Sequence, residues 1–189
     1  RAAQELGIAS KALDKAASRP VLELTELDTP VIIESIELLK KDRDYYVRVR
    51  STDGAEGLGF TNGRARHFYP ILNNLIIPYF IGKDARELEE HLFGVYRHSS
   101  NYKLLGQALW CPVAWVELAI LDMLGRIASR SIADLLGGAV RDSVPFYVAS
   151  GRRDSTPEDE VEYLQSLLDE THAPAVKFRV GGRMSRNED

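Results

Sequence analysis

The chain is poor in several features that would settle its class at once. One cysteine, Cys111, stands among 189 residues. No internal disulfide can form, which suits a reducing compartment such as the cytoplasm. An excess of positive charge is also missing. The 24 Lys and Arg against 28 Asp and Glu leave a formal net charge of -4. No broad cationic field is available for nucleic acid or an anionic membrane, and neither is expected as a partner. The longest apolar stretch, 113–124, is broken by Glu117 and Asp122 and falls short of the ~18 clean residues of a membrane span. What remains is 44% hydrophobic and 28% charged residues, the balance of a soluble globular protein with one large or two small domains. Arg1 in place of Met, and a polar 186–189 with no helix stop, read as cut ends. The chain is therefore expected to be a segment of something longer, so that counts of functional groups are lower bounds.

Residues 1–18 favour helix by composition but have sparse apolar positions, as a loosely docked helix, a tail or the remnant of a leader would. From 31 the pattern turns to strands: 31–39, a charged turn at 41–44, then 45–50, where Tyr45, Val47 and Val49 alternate with Arg48 and Arg50. Asp53-Gly54 signals a hairpin and the chain returns through 56–60. Thr61-Asn62-Gly63 closes this antiparallel meander with a loop. Phe68, Ile71, Leu72, Leu75 and Ile76 then share a helix face that is expected to stop near Pro78. Asp84 caps a second helix carrying Leu88, Leu92 and Val95, and a third, apolar nearly all round, is expected from Pro112 to about Ile127. Three strands followed by three helices make an α+β unit. After Gly137-Gly138 a strand at 144–150, a helix capped at Thr156 with a stripe of Val161, Leu164, Leu167 and Leu168, and a strand at 175–180 are the opening of a parallel sheet. Two such strands are not a stable sheet, so further strands are expected beyond residue 189 or in a partner.

Chemistry concentrates at 175–180. Alternation puts Val176, Phe178 and Val180 on one face and Ala175, Lys177 and Arg179 on the other. If the strand belongs to an α/β barrel, the apolar face packs on helices and the two cations point inward near the C-terminal strand end, where such barrels keep their sites. Neighbouring cations disfavour each other's charged form, which suits proton transfer by an amine, and they stabilise negative charge developing on a carboxylate or enolate. A plain alternative stays open: ion pairs on the wet face of a half-buried strand.

The runs 116–126 (VELAILDMLGR), 135–142 (LLGGAVRD) and 144–147 (VPFY) together resemble the enolase superfamily, in particular its mandelate racemase and muconate lactonizing branch. The similarity extends over 31–180. It implies a tail or helix at 1–30, an α+β capping domain at 31–140 with a three-stranded antiparallel meander plus helices, and at 141–189 the start of a modified TIM (β/α) barrel. It further implies a homo-oligomer, a small-molecule carboxylate substrate, and Mg2+ held by three carboxylates on later barrel strands that this chain does not contain. In that branch the second barrel strand ends in Lys-x-Lys, the second lysine commonly a base. Here Lys177 matches the first lysine and Arg179 the second. Arginine is a poor base but a good fork for a carboxylate or enolate. A racemase needs bases on both faces of the alpha carbon. The substitution argues against simple racemisation and favours a dehydratase acting on a sugar acid; an epimerase or cycloisomerase, and a non-catalytic α+β binding or assembly module, stay open as alternatives.

The resemblance also implies that capping-domain loops close over the barrel mouth. The turn 40–44 is short for the first such loop. Phe60, Thr61 and Asn62 are candidate substrate contacts in the second, with a plain strand-to-helix connection as the alternative. Ser150, ending the first barrel strand, is a further candidate or simple loop chemistry. His67, His91, His98 and His172 lack metal-ligand spacing and are expected to have surface or helix-packing roles. Trp110 and Cys111 are likewise expected to pack, and Glu117 and Asp122 to be structural. Residues 181–186, glycine-rich at their start, are expected to form a mobile loop at the barrel mouth.

Overall fold

The computed structural model describes residues 2–152 and 155–179, with side chains from Ser10 onward. Val180 and the loop 181–186 lie outside the described residues. The chain divides into two units, Arg1–Ala139 and Val140–Asp189.

The first unit opens with helix α1 (Ala2–Ala17), whose side chains from Ser10 to Ala17 are exposed. A meander follows, β1 (Ile33–Lys41), β2 (Asp44–Ser51) and β3 (Glu56–Phe60), antiparallel in the order β1-β2-β3. Alternation in β2 holds as expected: Val47 and Val49 are fully buried, while Arg48 and Arg50 pair with Glu37 and Glu56 directly across the strands. In β1 the apolar set Ile33, Ile36 breaks period two. The register slips between Ile33 and Ser35, and that bulge returns both isoleucines to the buried side. Asp53-Gly54 makes the hairpin turn, Gly54 at φ 88°.

Helical structure continues from 65 to 80 as α2 (Ala65–Ile71), a π-helical turn (Leu72–Ile76) and α3 (Ile77–Phe80). Pro78 does not stop it, contrary to the sequence expectation. The wide π turn just before Pro78 takes up the loss of its N–H, and the helix ends at Ile81 instead. Leu72, Ile76 and Phe80, spaced by four, are fully buried.

Asp84 caps the next segment through its carboxylate, which accepts from Arg86 N at 3.1 Å. A single 3-10 turn (Ala85–Glu87) precedes α4 (Leu88–Arg97). The carboxylate also accepts from Val31 N at 3.1 Å and from the Arg86 guanidinium, which donates to Leu27 O at 2.9 Å. Burial pushes the Asp84 carboxyl up, but the Arg86 and Val31 donors outweigh it and hold the group below the ordinary range.

Helix α5 (Gln107–Ala128) starts five residues before Pro112, which therefore lies inside it rather than at its start. The absent N–H of Pro112 leaves the Ala108 carbonyl without that helical donor. By length and composition α5 is apolar enough to cross a membrane. Its apolar side chains instead form the centre of the core with Val47, Val49, Leu72 and Phe80. Ser131 and Asp134 then form a capping box on α6 (Ile132–Leu135), and Gly137 and Gly138 turn at φ 94° and 99°.

The sheet meets α5 at β3, where side chains are excluded. A Cβ on Gly59 would stand 2.5 Å from the Trp115 carbonyl oxygen, and one on Gly57 would collide with the Ala119 carbonyl and the Met123 backbone. Between them Leu58 N donates to Asp122 Oδ2 at 2.8 Å, giving this backbone donor a partner on the helix. We expect Gly59→Ala to cost about 3 kcal/mol or more in urea denaturation, the upper end of overpacking penalties, because the blocking atoms are backbone. A loss below about 0.5 kcal/mol, the size of an ordinary surface change, would contradict this packing.

Candidate functional site

In the second unit β4 (Val148–Ala149) and β5 (Val176–Lys177) pair in parallel, Val148 with Val176 and Ala149 with Lys177. Ser150 N donates to Lys177 O at 3.0 Å and Val148 N to Ala175 O at 3.1 Å. The expected parallel pair is present but shorter than 144–150 and 175–180. Pro145 has no N–H for a ladder, and Val144, Phe146 and Tyr147 are exposed. Helix α7 (Pro157–Thr171) lies between the two strands in sequence, capped by Thr156 as expected, with Asp159 N donating to the Thr156 hydroxyl at 3.2 Å. Its apolar stripe is half-buried at Leu164, Leu167 and Leu168, while Val161 is exposed.

Lys177 is exposed on β5, and Arg179 is exposed two residues on. Phe178 between them is also exposed, 54%, so the expected packing of that side chain against helices is not made within this unit. Ser150 is buried at 5%, and its hydroxyl accepts from Arg152 N at 3.1 Å.

Around Ser150 lies a small polar network that no sequence spacing announces. The Ser155 hydroxyl donates to Glu160 Oε2 at 2.8 Å, and Arg152 Nε lies 4.0 Å from the same oxygen. Arg152 also donates to Asp159 O at 3.2 Å and stacks 4.8 Å from the Tyr163 ring centroid. The hydroxyl of Ser150 first, and then that of Ser155, hold the Glu160 carboxyl below the ordinary glutamate range. This network fastens the residues that follow β4 to the first turn of α7. The readable signal was the Thr156 cap. Glu160, one residue past the capped Asp159, gave no pattern of its own.

In the first unit Phe60 is exposed and meets Tyr46 edge-to-face at 5.4 Å. Thr61 is buried, and both its N–H and its hydroxyl donate to Tyr45 O, at 3.0 and 2.9 Å. Its donor therefore serves the sheet. Asn62 is exposed, and its Oδ1 accepts from Arg64 N at 3.0 Å, an Asx turn that opens α2. Phe60 and Asn62 thus keep surface for a ligand.

His91, Trp110 and Asp122 have structural occupations, while His67, His98 and His172 are exposed. His91 is buried, with Nε2 2.9 Å from Asp84 O, and packs edge-on to Tyr79 and Phe80. Trp110 stacks on Tyr96 at 5.7 Å. Asp122 joins Leu58 N to Arg126 Nε, the latter at 2.8 Å. Burial pushes the half-buried Glu117 carboxyl up. Among the described residues no group of three or more His, Cys, Asp or Glu could hold a metal ion.

The N-terminal domain of mandelate racemase / muconate lactonizing enzyme matches residues 20–137. The chain belongs to this family. A D-mannonate dehydratase of Caulobacter vibrioides is 30% identical over 139 residues, 72% of this chain and 30% of that protein. A D-galactonate dehydratase family member of Paenibacillus sp. (strain JDR-2) is 32% identical over 153 residues, 79% of this chain and 36% of that protein. The fold is that of a mandelate racemase/muconate lactonizing protein from Paracoccus denitrificans complexed with magnesium, with TM-score 0.71 at 21% identity, covering 82% of this chain and 44% of that one. The chain thus spans about a third of the length of these curated relatives. Its first unit is the family's capping domain, with the three-stranded meander and helices expected from the sequence.

The Glu160 network has a pH signature. A carboxyl whose folded pKa is depressed contributes stability that is whole above its unfolded value, near 4.5, and fades as pH falls through the lower folded value. Glu160→Gln should therefore flatten the acid limb of a stability profile taken by urea denaturation from neutral pH downward. An acid limb of unchanged slope would contradict the assignment.

Proposed function

We propose that the whole protein is a hydro-lyase that removes the proton alpha to the carboxylate of a sugar acid and then expels the beta hydroxyl as water. Two dehydratase relatives at 30% and 32% identity support this reading, and they are the observation that carries it. Lys177, exposed on β5, and Arg179, exposed two residues past it, are the catalytic residues proposed from this chain. The Arg179 guanidinium, always charged and able to donate two parallel N–H bonds, holds the substrate carboxylate and the negative charge that grows on it as the proton leaves. Lys177 Nζ, its stem rooted beside Ala149, moves a proton at that centre or donates to the enolate oxygen. Phe60 and Asn62 are proposed as capping-domain contacts to the polyol, and Thr61 as the residue whose hydroxyl fixes that loop to Tyr45.

Magnesium is proposed as the cofactor, on the strength of the magnesium-bound neighbour. The described residues offer no three-group cluster to hold it, so its ligands are assigned to parts of the whole protein outside them. No step given to Lys177 or Arg179 runs through the ion.

An isomerase reading rests on the family description itself, which names a racemase and a lactonizing enzyme. Arginine at 179 weighs against it, because a second lysine base is missing from this strand.

Replacing Lys177 with Ala in the whole protein, supplied with magnesium and a panel of sugar acids, should lower exchange of the alpha proton with solvent by about 10²-fold or more. Arg179→Lys, which keeps the charge but loses the fork, should raise KM more than it lowers kcat. Unchanged exchange in the Lys177 variant removes that residue from the mechanism. Turnover of none of the panel, alongside racemisation or cyclisation of another acid, overturns the dehydratase reading.

A further inference from the structure

The outward face of α4 carries Glu90, Phe93 and Arg97, all exposed, on one side of the helix at helical spacing. Phe93 is 74% exposed. Beside it runs a groove of about 510 Å³ lined by Tyr79, Lys83, Glu87 and Gly94 among others. The Tyr79 ring packs onto Gly94, its hydroxyl filling the space a Cβ would take, and the far side of the groove is held by Lys83, whose ammonium lies 4.6 Å from the Tyr79 ring centroid. Neither Glu90 nor Arg97 has an ion-pair partner among the described residues.

The order of these residues along the helix is self-complementary. In two antiparallel copies of α4 related by a two-fold axis passing between Phe93 and Gly94, Glu90 of each copy meets Arg97 of the other. Phe93 of each meets Gly94 and the groove beside it. A closed two-fold interface requires this kind of match, since one patch must complement itself. An exposed aromatic knob beside a groove walled by the Tyr79 ring supplies the central anchor, and the two charge pairs supply register at the ends. We propose that this face of α4 is an isologous interface between two copies of this chain, with Phe93 seated in the Tyr79–Gly94 groove of the second copy.

The test is analytical ultracentrifugation of the whole protein. Glu90→Arg alone and Arg97→Glu alone each set two like-charge contacts into the interface and should each raise its dissociation constant about tenfold or more. An equimolar mixture of the two variants restores both attractive pairs and should recover the native mass, as should the double swap within one chain. Variants of native mass, a monomeric native protein, or a mixture that fails to recover each overturn the proposal. So does a fall in melting temperature with mass unchanged, which would place another part of the same chain over this face.

Discussion

The capping unit depends on the backbone approach of β3 to α5. Most sheet–helix contacts are separated by side chains, but here Gly57 and Gly59 let a strand lie on the carbonyls and amides of residues 115–123. That approach leaves Leu58 N in reach of Asp122, a carboxylate on the same helix that also pairs with Arg126. Two consequences follow. The neighbouring strand is carried in over α5, so that Val47 and Val49 are fully buried. The chain also leaves β3 at a fixed height, which brings Thr61 against Tyr45 and sets the start of the 61–63 loop.

The Asp84–Arg86 pair plays a corresponding part at the opposite edge of the sheet. Residues 82–85 run beside the start of β1, with Gly82 N donating to Ile33 O at 2.8 Å and Ala85 N to Val31 O at 2.8 Å. Asp84 and Arg86 then tie residues 27 and 31 to the entry of α4. The two edge strands of this small sheet, each a source of unpaired backbone groups, are thereby partnered in part from within the unit, β3 at Leu58 N and β1 at Ile33.

Much of this was legible in the sequence, because period two and period 3.6 are strong where one face is buried. The alternation of Val47 and Val49 with arginines, the Asp53-Gly54 turn and the caps at Asp84 and Thr156 all read correctly. Proline misled twice. Pro78 and Pro112 were read as a stop and a start, yet a π turn absorbs the first and the strongly buried α5 tolerates the second. The β1 bulge was invisible, since Ile33 and Ile36 look like a helical spacing inside a strand. In the second unit the ladder is two residues long, so alternation alone could not say where Phe178 packs. Lys177 and Arg179 stood out by strand alternation and then by their match to a family motif, whereas Glu160 joins Ser150 only through folding and had no local signature.

The β3 edge is held to α5 by the Leu58–Asp122 bond within a glycine-lined seam. Native-state hydrogen exchange read residue by residue in Asp122→Ala tests it most directly. Protection should be lost selectively at the Leu58 amide, with the amides of Val47 and Val49 keeping theirs. Unchanged protection at Leu58, or an equal loss at all three, would contradict it.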